Sequence, residues 1–301
     1  MNNTVKDIQK SDTQTQISPT KSSNPVEDES GKLFIAVKTE NLKYRLGNQM
    51  FIYAAMLGIA RAQHREAFIE SGKTLGQTFA VSHVNSRVNV TGWQVKAVKN
   101  YATFDPEVFH LPKTNISLQG LFQSWKYFLN IQDEIRREFT FHPHIRKKSE
   151  AFYKNLLKDC QNCTFVGVHV RRGDFLTAKN KGEGFVTASR SYFIKAFNLI
   201  RSILTNQIVF IVGSDDLDWC RVNLNMTDVI VLNPDVQTVH LAILSNTTHS
   251  VISTGTYGWW AAWLANGITV YYNRYPIAGS KIDRGFNKAD YYPPTWIGIG
   301  D

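Results

Sequence analysis

From Phe165 onward the chain repeats one pattern: a short run of apolar residues without alternation, a polar turn, then a stretch with helical spacing. The runs are Phe165 to Val170, Ile208 to Val212, Val229 to Leu232, Ser250 to Ser253 and Ile268 to Tyr272. A strand with one wet face alternates apolar and polar side chains, so runs that stay apolar are covered on both faces. With helices between them, they predict an α/β fold built on a doubly wound parallel sheet of the nucleotide-binding kind. Ligands bind such sheets beyond the carboxyl ends of the strands. Functional residues are therefore sought at those ends.

The earlier part of the chain reads differently. Residues 1–31 are dominated by Asn, Thr, Ser, Gln, Lys and Asp with almost nothing apolar to bury, which predicts a flexible, stem-like leader. Leu33 to Val37 predicts a strand, followed by a polar turn through Asn41 and Lys43. Gly47 then opens a helix with Met50, Phe51, Ala54, Leu57 and Gly58 on its apolar face. Thr74 to His144 is the least regular region. Its aromatic cluster of Phe122, Trp125, Tyr127 and Phe128 either shapes a cleft or fills a core. The 301 residues, 43% of them hydrophobic, are enough for two lobes, which we place at 32–159 and 160–301.

Three strand ends carry candidate chemistry. The first reads Val166-Gly167-Val168-His169-Val170-Arg171-Arg172-Gly173-Asp174-Phe175. Adjacent arginines at a ligand edge suggest phosphate, because guanidinium forks hold its oxygens in bidentate geometry and stay charged at physiological pH. The second, Gly213-Ser214-Asp215-Asp216-Leu217-Asp218, lets Ser214 cap a helix with three carboxylates in its first turn. The helix dipole alone favours that placement, and a ligand role for Asp215 stays open beside it. At the third, Ser253-Thr254-Gly255-Thr256-Tyr257-Gly258, the Thr256 hydroxyl and backbone N–H groups would point at an anion, although the same residues cap helices with no ligand.

Charge and cysteine usage narrow the class. Lysine and arginine outnumber aspartate and glutamate by 34 to 25, a positive balance that suits phosphorylated ligands. Nucleic acid is not expected as a partner, since no basic run of five and no recognition signature occurs. Asn-X-Ser/Thr triplets begin at Asn2, Asn89, Asn115, Asn162, Asn225 and Asn246, which points to the secretory pathway. Cys160 and Cys163 allow one bridge and leave Cys220 over, and no four-ligand zinc spacing exists, so no metal is expected. No run approaches the ~20 apolar residues of a bilayer span, so membrane association is expected only through an N-terminal anchor absent from this sequence.

Four motifs in order, Tyr44-Arg45-Leu46-Gly47-Asn48-Gln49-Met50-Phe51, His169 to Phe175, Ser214-Asp215-Asp216 with Trp219-Cys220, and Thr254 to Leu264, resemble the α1,2-fucosyltransferases. The likeness runs from about Phe34 to Gly298. It implies a GT-B-like glycosyltransferase whose second, Rossmann-like lobe holds GDP-fucose while the first presents a galactose-terminated acceptor. It further implies an inverting reaction without a divalent metal, in the Golgi lumen. By the same resemblance, His169 would contact the guanosine, Arg171 the β-phosphate, Arg172 the sugar and ribose, and Thr256 a phosphate, with Asn48 and Gln49 facing the cleft. The base that takes the acceptor proton would be Asp174, with Glu183 in reserve. An equal alternative is that Asp174 only orients Arg171.

One position departs from the family. His240 stands where an aspartate usually reads the guanine, and an imidazole cannot supply a carboxylate's paired acceptors. Asp235 is the residue that would compensate. A catalytically silent sugar-binding paralogue is therefore the alternative reading. A dinucleotide oxidoreductase is not expected, since no G-x-G-x-x-G follows any strand.

Overall fold

The computed structural model describes residues 31–37, 44–69, 73–85, 89–160 and 162–301; the leader through residue 30, with the Asn2 triplet, and the turn through Asn41 and Lys43 lie outside them. The first part of the chain contributes β1 (Phe34–Val37), α1 (Leu46–Ala62), β2 (Glu66–Ile69), α2 (Lys73–Thr78), β3 (Gln94–Ala97), β4 (Ile116–Gln119), α3 (Gln132–Glu138) and α4 (Pro143–Asp159). Then follow β5 (Thr164–Val170), α5 (Ala178–Glu183), α6 (Arg190–Ile203), β6 (Ile208–Ser214), α7 (Leu217–Asn223), β7 (Val229–Val231) and α8 (Gln237–Ser245). The last elements are β8 (His249–Ile252), α9 (Thr256–Ala265), β9 (Thr269–Tyr272), α10 (Lys288–Tyr291) and β10 (Ile297–Ile299).

Two sheets result, and all their pairings are parallel: β2-β1-β4-β3 and β10-β9-β8-β5-β6-β7. The second has the doubly wound order in which the chain steps outward from β5 to β7, crosses back, and resumes at β8. Its apolar runs are buried on both faces. Val166, Val168, Val170, Phe210 and Val212 enter a core with Phe193 and Phe197 of α6. Phe165, Val209 and Ile211 enter the opposite core with α8 and α9.

The first sheet was only partly visible in the sequence. Inside the irregular region β4 is buried at Ile116, Ser117 and Leu118, and β3 is a largely exposed edge strand. The aromatic residues of this region fill a core. Phe128 stacks on Trp260 at 5.4 Å between ring centroids, and Phe51 of α1 lies 4.6 Å from Trp259 and 5.0 Å from Trp260. Both α1 and α9 are buried nearly all round, as expected for helices apolar on every side. They fuse the two lobes through a single core cluster containing Ile35 and Met50 together with Trp259 and Trp260. The chain also crosses between lobes. Helix α4, within the first lobe's span by sequence, packs on α8, where Tyr153 Oη donates to Ile243 O at 2.7 Å. Asp290 of α10 returns to the first lobe, accepting from Phe104 N at 3.0 Å and pairing with Lys126 at 2.6 Å.

Candidate active site

The carboxyl ends of the two sheets face one cavity of about 630 Å³. In the second sheet the chain reverses direction between β5 and β8, so the loops after those strands diverge and leave a crevice. His169 and Arg171 come from β5 and its end, Thr254 to Thr256 from the end of β8, and Ser214 and Asp215 from β6 and its end. The first lobe supplies Arg45 to Asn48 from the start of α1, and Gln123 from the loop after β4. Tyr101, Phe175 and Tyr275 give another part of the wall an aromatic surface.

The N-termini of α1 and α9 meet at the wall. The Thr256 hydroxyl donates to Asn48 Oδ1 at 2.9 Å, and Gln123 Nε2 donates to the same oxygen at 3.1 Å. Gly255 enters α9 with φ +87°, a left-handed geometry that favours glycine. First-turn N–H groups have no intrahelical acceptors, and both helix dipoles present their positive ends here, so the seam attracts anions.

An alternating set of charges runs along the wall. Arg171 pairs with Asp174 through Nη2 and with Asp215 through Nη1, and its guanidinium carbon lies 4.9 Å from the Phe175 ring centroid. Asp215 also accepts from Arg172 N at 2.8 Å. Asp174 has a second cation in Arg45, whose Nη2 lies 3.3 Å from Oδ2. Arg45 belongs to the Tyr44 to Phe51 motif, whose implied site residues are Asn48 and Gln49. A basic residue immediately before a helix that opens toward the site was the available signal.

His169 is 6% exposed, its Nδ1 has no hydrogen-bond partner, and its ring lies 5.0 Å from that of Tyr257. Burial, then the Arg171 charge and His240, pushes its pKa down to about 3, so it enters any ligand contact as neutral imidazole. The folded value lies below the ordinary 6.5, so the unfolded chain binds the extra proton between the two values. The contribution to stability is complete above about pH 6.5 and is lost as the pH falls toward 3. Thermal melts at pH 7.0 and 5.5 are expected to show wild type losing about 1 kcal/mol more than His169→Gln, which has nothing to titrate there. Equal losses would contradict the buried neutral state.

The cavity brings together Asn48, His169, Arg171, Asp174, Asp215, His240 and Thr256 of the sequence-derived candidates, and four others lie outside its wall. Gln49 is buried behind it, donating to Tyr44 O at 2.6 Å and accepting from Leu75 N at 3.2 Å. Adjacent helix residues point about 100° apart, and Asn48 takes the cavity direction. Arg172 turns to α7, donating to Asp216 at 3.0 Å with its guanidinium carbon 4.1 Å from the Trp219 ring centroid. Successive residues leaving a strand take opposite sides, so only one of the two arginines reaches the cavity. Glu183 pairs with Lys281 at 3.1 Å, and Asp235 with Lys148 at 3.0 Å. The Val236 N–H, then Lys148, holds the Asp235 carboxyl below its usual range. The cap of α7 is Asp216, accepting from Trp219 N at 3.1 Å, rather than Ser214, which ends β6 and donates to Val170 O at 2.8 Å. His240 Nε2 donates to Asn233 O at 2.9 Å, so a neutral ring has only Nδ1 left to accept.

Two parallel-sheet lobes that share a cavity at their strand ends, with an arginine at the reversal point of the second, make this an α/β, GT-B-like glycosyltransferase fold. Solved structures agree. The chain is similar to an Arabidopsis thaliana FUT1 mutant in complex with GDP, with a TM-score of 0.54 at 12% identity, covering 80% of this chain and 70% of that one. It is also similar to NodZ α-1,6-fucosyltransferase soaked with GDP-fucose, with a TM-score of 0.51 at 14% identity and coverage of 80% and 95%. In sequence, residues 8–300 match the model of glycosyl transferase family 11. The mouse galactoside 2-alpha-L-fucosyltransferase Sec1 is 34% identical over 273 residues, 87% of this chain and 73% of the relative. The pig galactoside alpha-(1,2)-fucosyltransferase 2 is 33% identical over 273 residues, 87% and 79%. The chain belongs to glycosyl transferase family 11, as an enzyme of its α1,2-fucosyltransferase group.

Proposed function

We propose that the protein transfers L-fucose from GDP-β-L-fucose to the 2-hydroxyl of a terminal galactose, with inversion and without a metal ion. The observation that carries the donor assignment is Arg171 at the β5 strand end, beside the N-terminus of α9: its backbone N donates to Ser253 Oγ at 2.8 Å, and both line the cavity. That pairing of a fixed guanidinium with helix N–H groups suits a diphosphate leaving group. The galactoside acceptor follows from the names of the family 11 relatives, and GDP from the complexes of fucosyltransferases with this fold.

In the proposed step the acceptor hydroxyl oxygen bonds to the anomeric carbon as the bond from that carbon to the phosphate oxygen breaks. The electron pair leaves on GDP, and the hydroxyl proton goes to a carboxylate. Asp174 is that carboxylate: it lies in the cavity wall, whereas Glu183 is outside it. Arg171 and the α9 N-terminus stabilise charge building on the β-phosphate, the task a divalent cation performs elsewhere. Among the described residues, no group of three or more His, Cys, Asp or Glu side chains is assembled that could hold a metal.

The test is GDP release from GDP-fucose in EDTA, with and without a β-galactoside. Release that depends on the acceptor and survives EDTA is expected; release requiring a divalent ion would overturn metal independence. A second reading, a silent sugar-binding paralogue, is favoured by the single acceptor nitrogen of His240. Acceptor binding without any turnover would select it. We further place the protein in the secretory pathway, toward the Golgi lumen. The Cys160–Cys163 disulfide and the exposed acceptor asparagines Asn89, Asn162 and Asn225 support that assignment.

A further inference from the structure

Arg45 approaches the catalytic wall from the opposite lobe. It stands immediately before α1, lines the cavity, and reaches Asp174 at 3.3 Å. The order Arg45, Asp174, Arg171, Asp215 alternates in sign, so two cations and two anions leave this wall without net charge. A nucleoside diphosphate brings more than one negative charge and must find cations already occupied by carboxylates. Arg171 is 16% exposed and fixed by two carboxylates. Arg45 is 68% exposed and Asp174 40%, so their pair is open to water and to competition. Pairs of this kind contribute little net stability, and a guanidinium exchanges a carboxylate for a phosphate with no change of geometry.

Proton transfer imposes its own requirement. Asp174 carries a guanidinium on each of its two oxygens, Arg171 on Oδ1 and Arg45 on Oδ2, so an acceptor hydroxyl must compete with both for access to it. One partner must leave before Asp174 can accept the acceptor's proton. Arg45, the more exposed of the two, is the one free to go.

We propose that Arg45 is a second diphosphate-binding residue that exchanges Asp174 for the donor's phosphates, so that donor binding frees Asp174 as the base. This rests on the GDP-fucose reading above and assigns Asp174 both of its roles in turn. It orients the arginines while paired with them and takes the proton once Arg45 has moved to the diphosphate.

The test measures GDP and guanosine binding by titration to wild type, Arg45→Ala, Arg45→Lys and Asp174→Asn. Loss of a charge-assisted contact to phosphate is expected to weaken GDP binding to Arg45→Ala about tenfold or more, with guanosine binding unchanged and partial recovery in Arg45→Lys. Asp174→Asn removes the competing carboxylate and is expected to bind GDP more tightly than wild type. Wild-type affinity for GDP in Arg45→Ala would overturn the proposal, as would equal losses for GDP and guanosine, the mark of a merely structural residue. Wild type that binds neither compound would overturn the donor reading itself, a result distinct from either of these.

Discussion

Arg171→Ala is expected to lower kcat/KM for fucosyl transfer by about a thousandfold, with the fold intact. Preorganised donors at a developing charge typically supply 10²–10³ each, and this side chain places a full charge where the leaving diphosphate would lie. Its position is set from two directions: Asp174 and Asp215 hold the two ends of the guanidinium, and the Phe175 ring lies beside it. Arg171→Lys keeps the charge but loses the planar fork, so it should recover only a minor part of the rate. The structural cost should be small, because Asp174 keeps Arg45 and Asp215 keeps the Arg172 N–H. Matching melting curves, with kinetics at saturating and limiting donor, would separate these effects. Near-full activity in Arg171→Ala would remove the phosphate assignment.

Gly47→Ala should have the second largest effect, through steric contact. In an ordinary helix the change is favourable by up to about 1 kcal/mol. Here an added Cβ would stand 2.6 Å from Thr256 Oγ1 and 2.8 Å from both Thr256 C and Tyr257 N. Two of those atoms are backbone, and Trp260, one turn further along α9, ties the same two helices together by donating from Nε1 to Gly47 O at 3.0 Å, so neither helix yields easily. Overpacking of this kind costs about 1–3 kcal/mol. It should lower the melting temperature by several degrees, at roughly 2–4 °C per kcal/mol for a domain of this size. It would also part the Asn48–Thr256 hydrogen bond, with an expected loss of tenfold or more in kcat/KM. Gly76→Ala in α2, where nothing lies within 4 Å of the added carbon, is the control and should be neutral or slightly stabilising. Equal behaviour of the two variants would show that the α1–α9 seam tolerates separation.

Much of the second lobe could be read before any coordinates. Its strands are apolar on both faces, and that composition fits little other than a sheet buried between helix layers. The motifs at its strand ends were legible because special chemistry at the end of an apolar run is conspicuous. The first sheet was harder. β3 has the sequence Gln94-Val95-Lys96-Ala97 and is mostly exposed, and an edge strand of that kind carries no apolar run to announce it. The aromatic residues between Phe122 and Phe128 left cleft and core open. The rings of α1 and α9 decide for core, since they are the surface on which those residues pack.

The sequence by itself determined the family, the parallel sheet of the second lobe and the strand ends where the site lies, since local patterning and short motifs carry that information. Only the tertiary structure decided which neighbour in each pair enters the cavity: Asn48 and Arg171 do, while Gln49 and Arg172 support it from behind. It also decided that Arg45 meets Asp174. Direction at a helix start or strand end turns on a rotation of about 100° or 180° per residue. A contact between distant segments exists only once packing has fixed both ends, and no local pattern in the chain encodes that meeting.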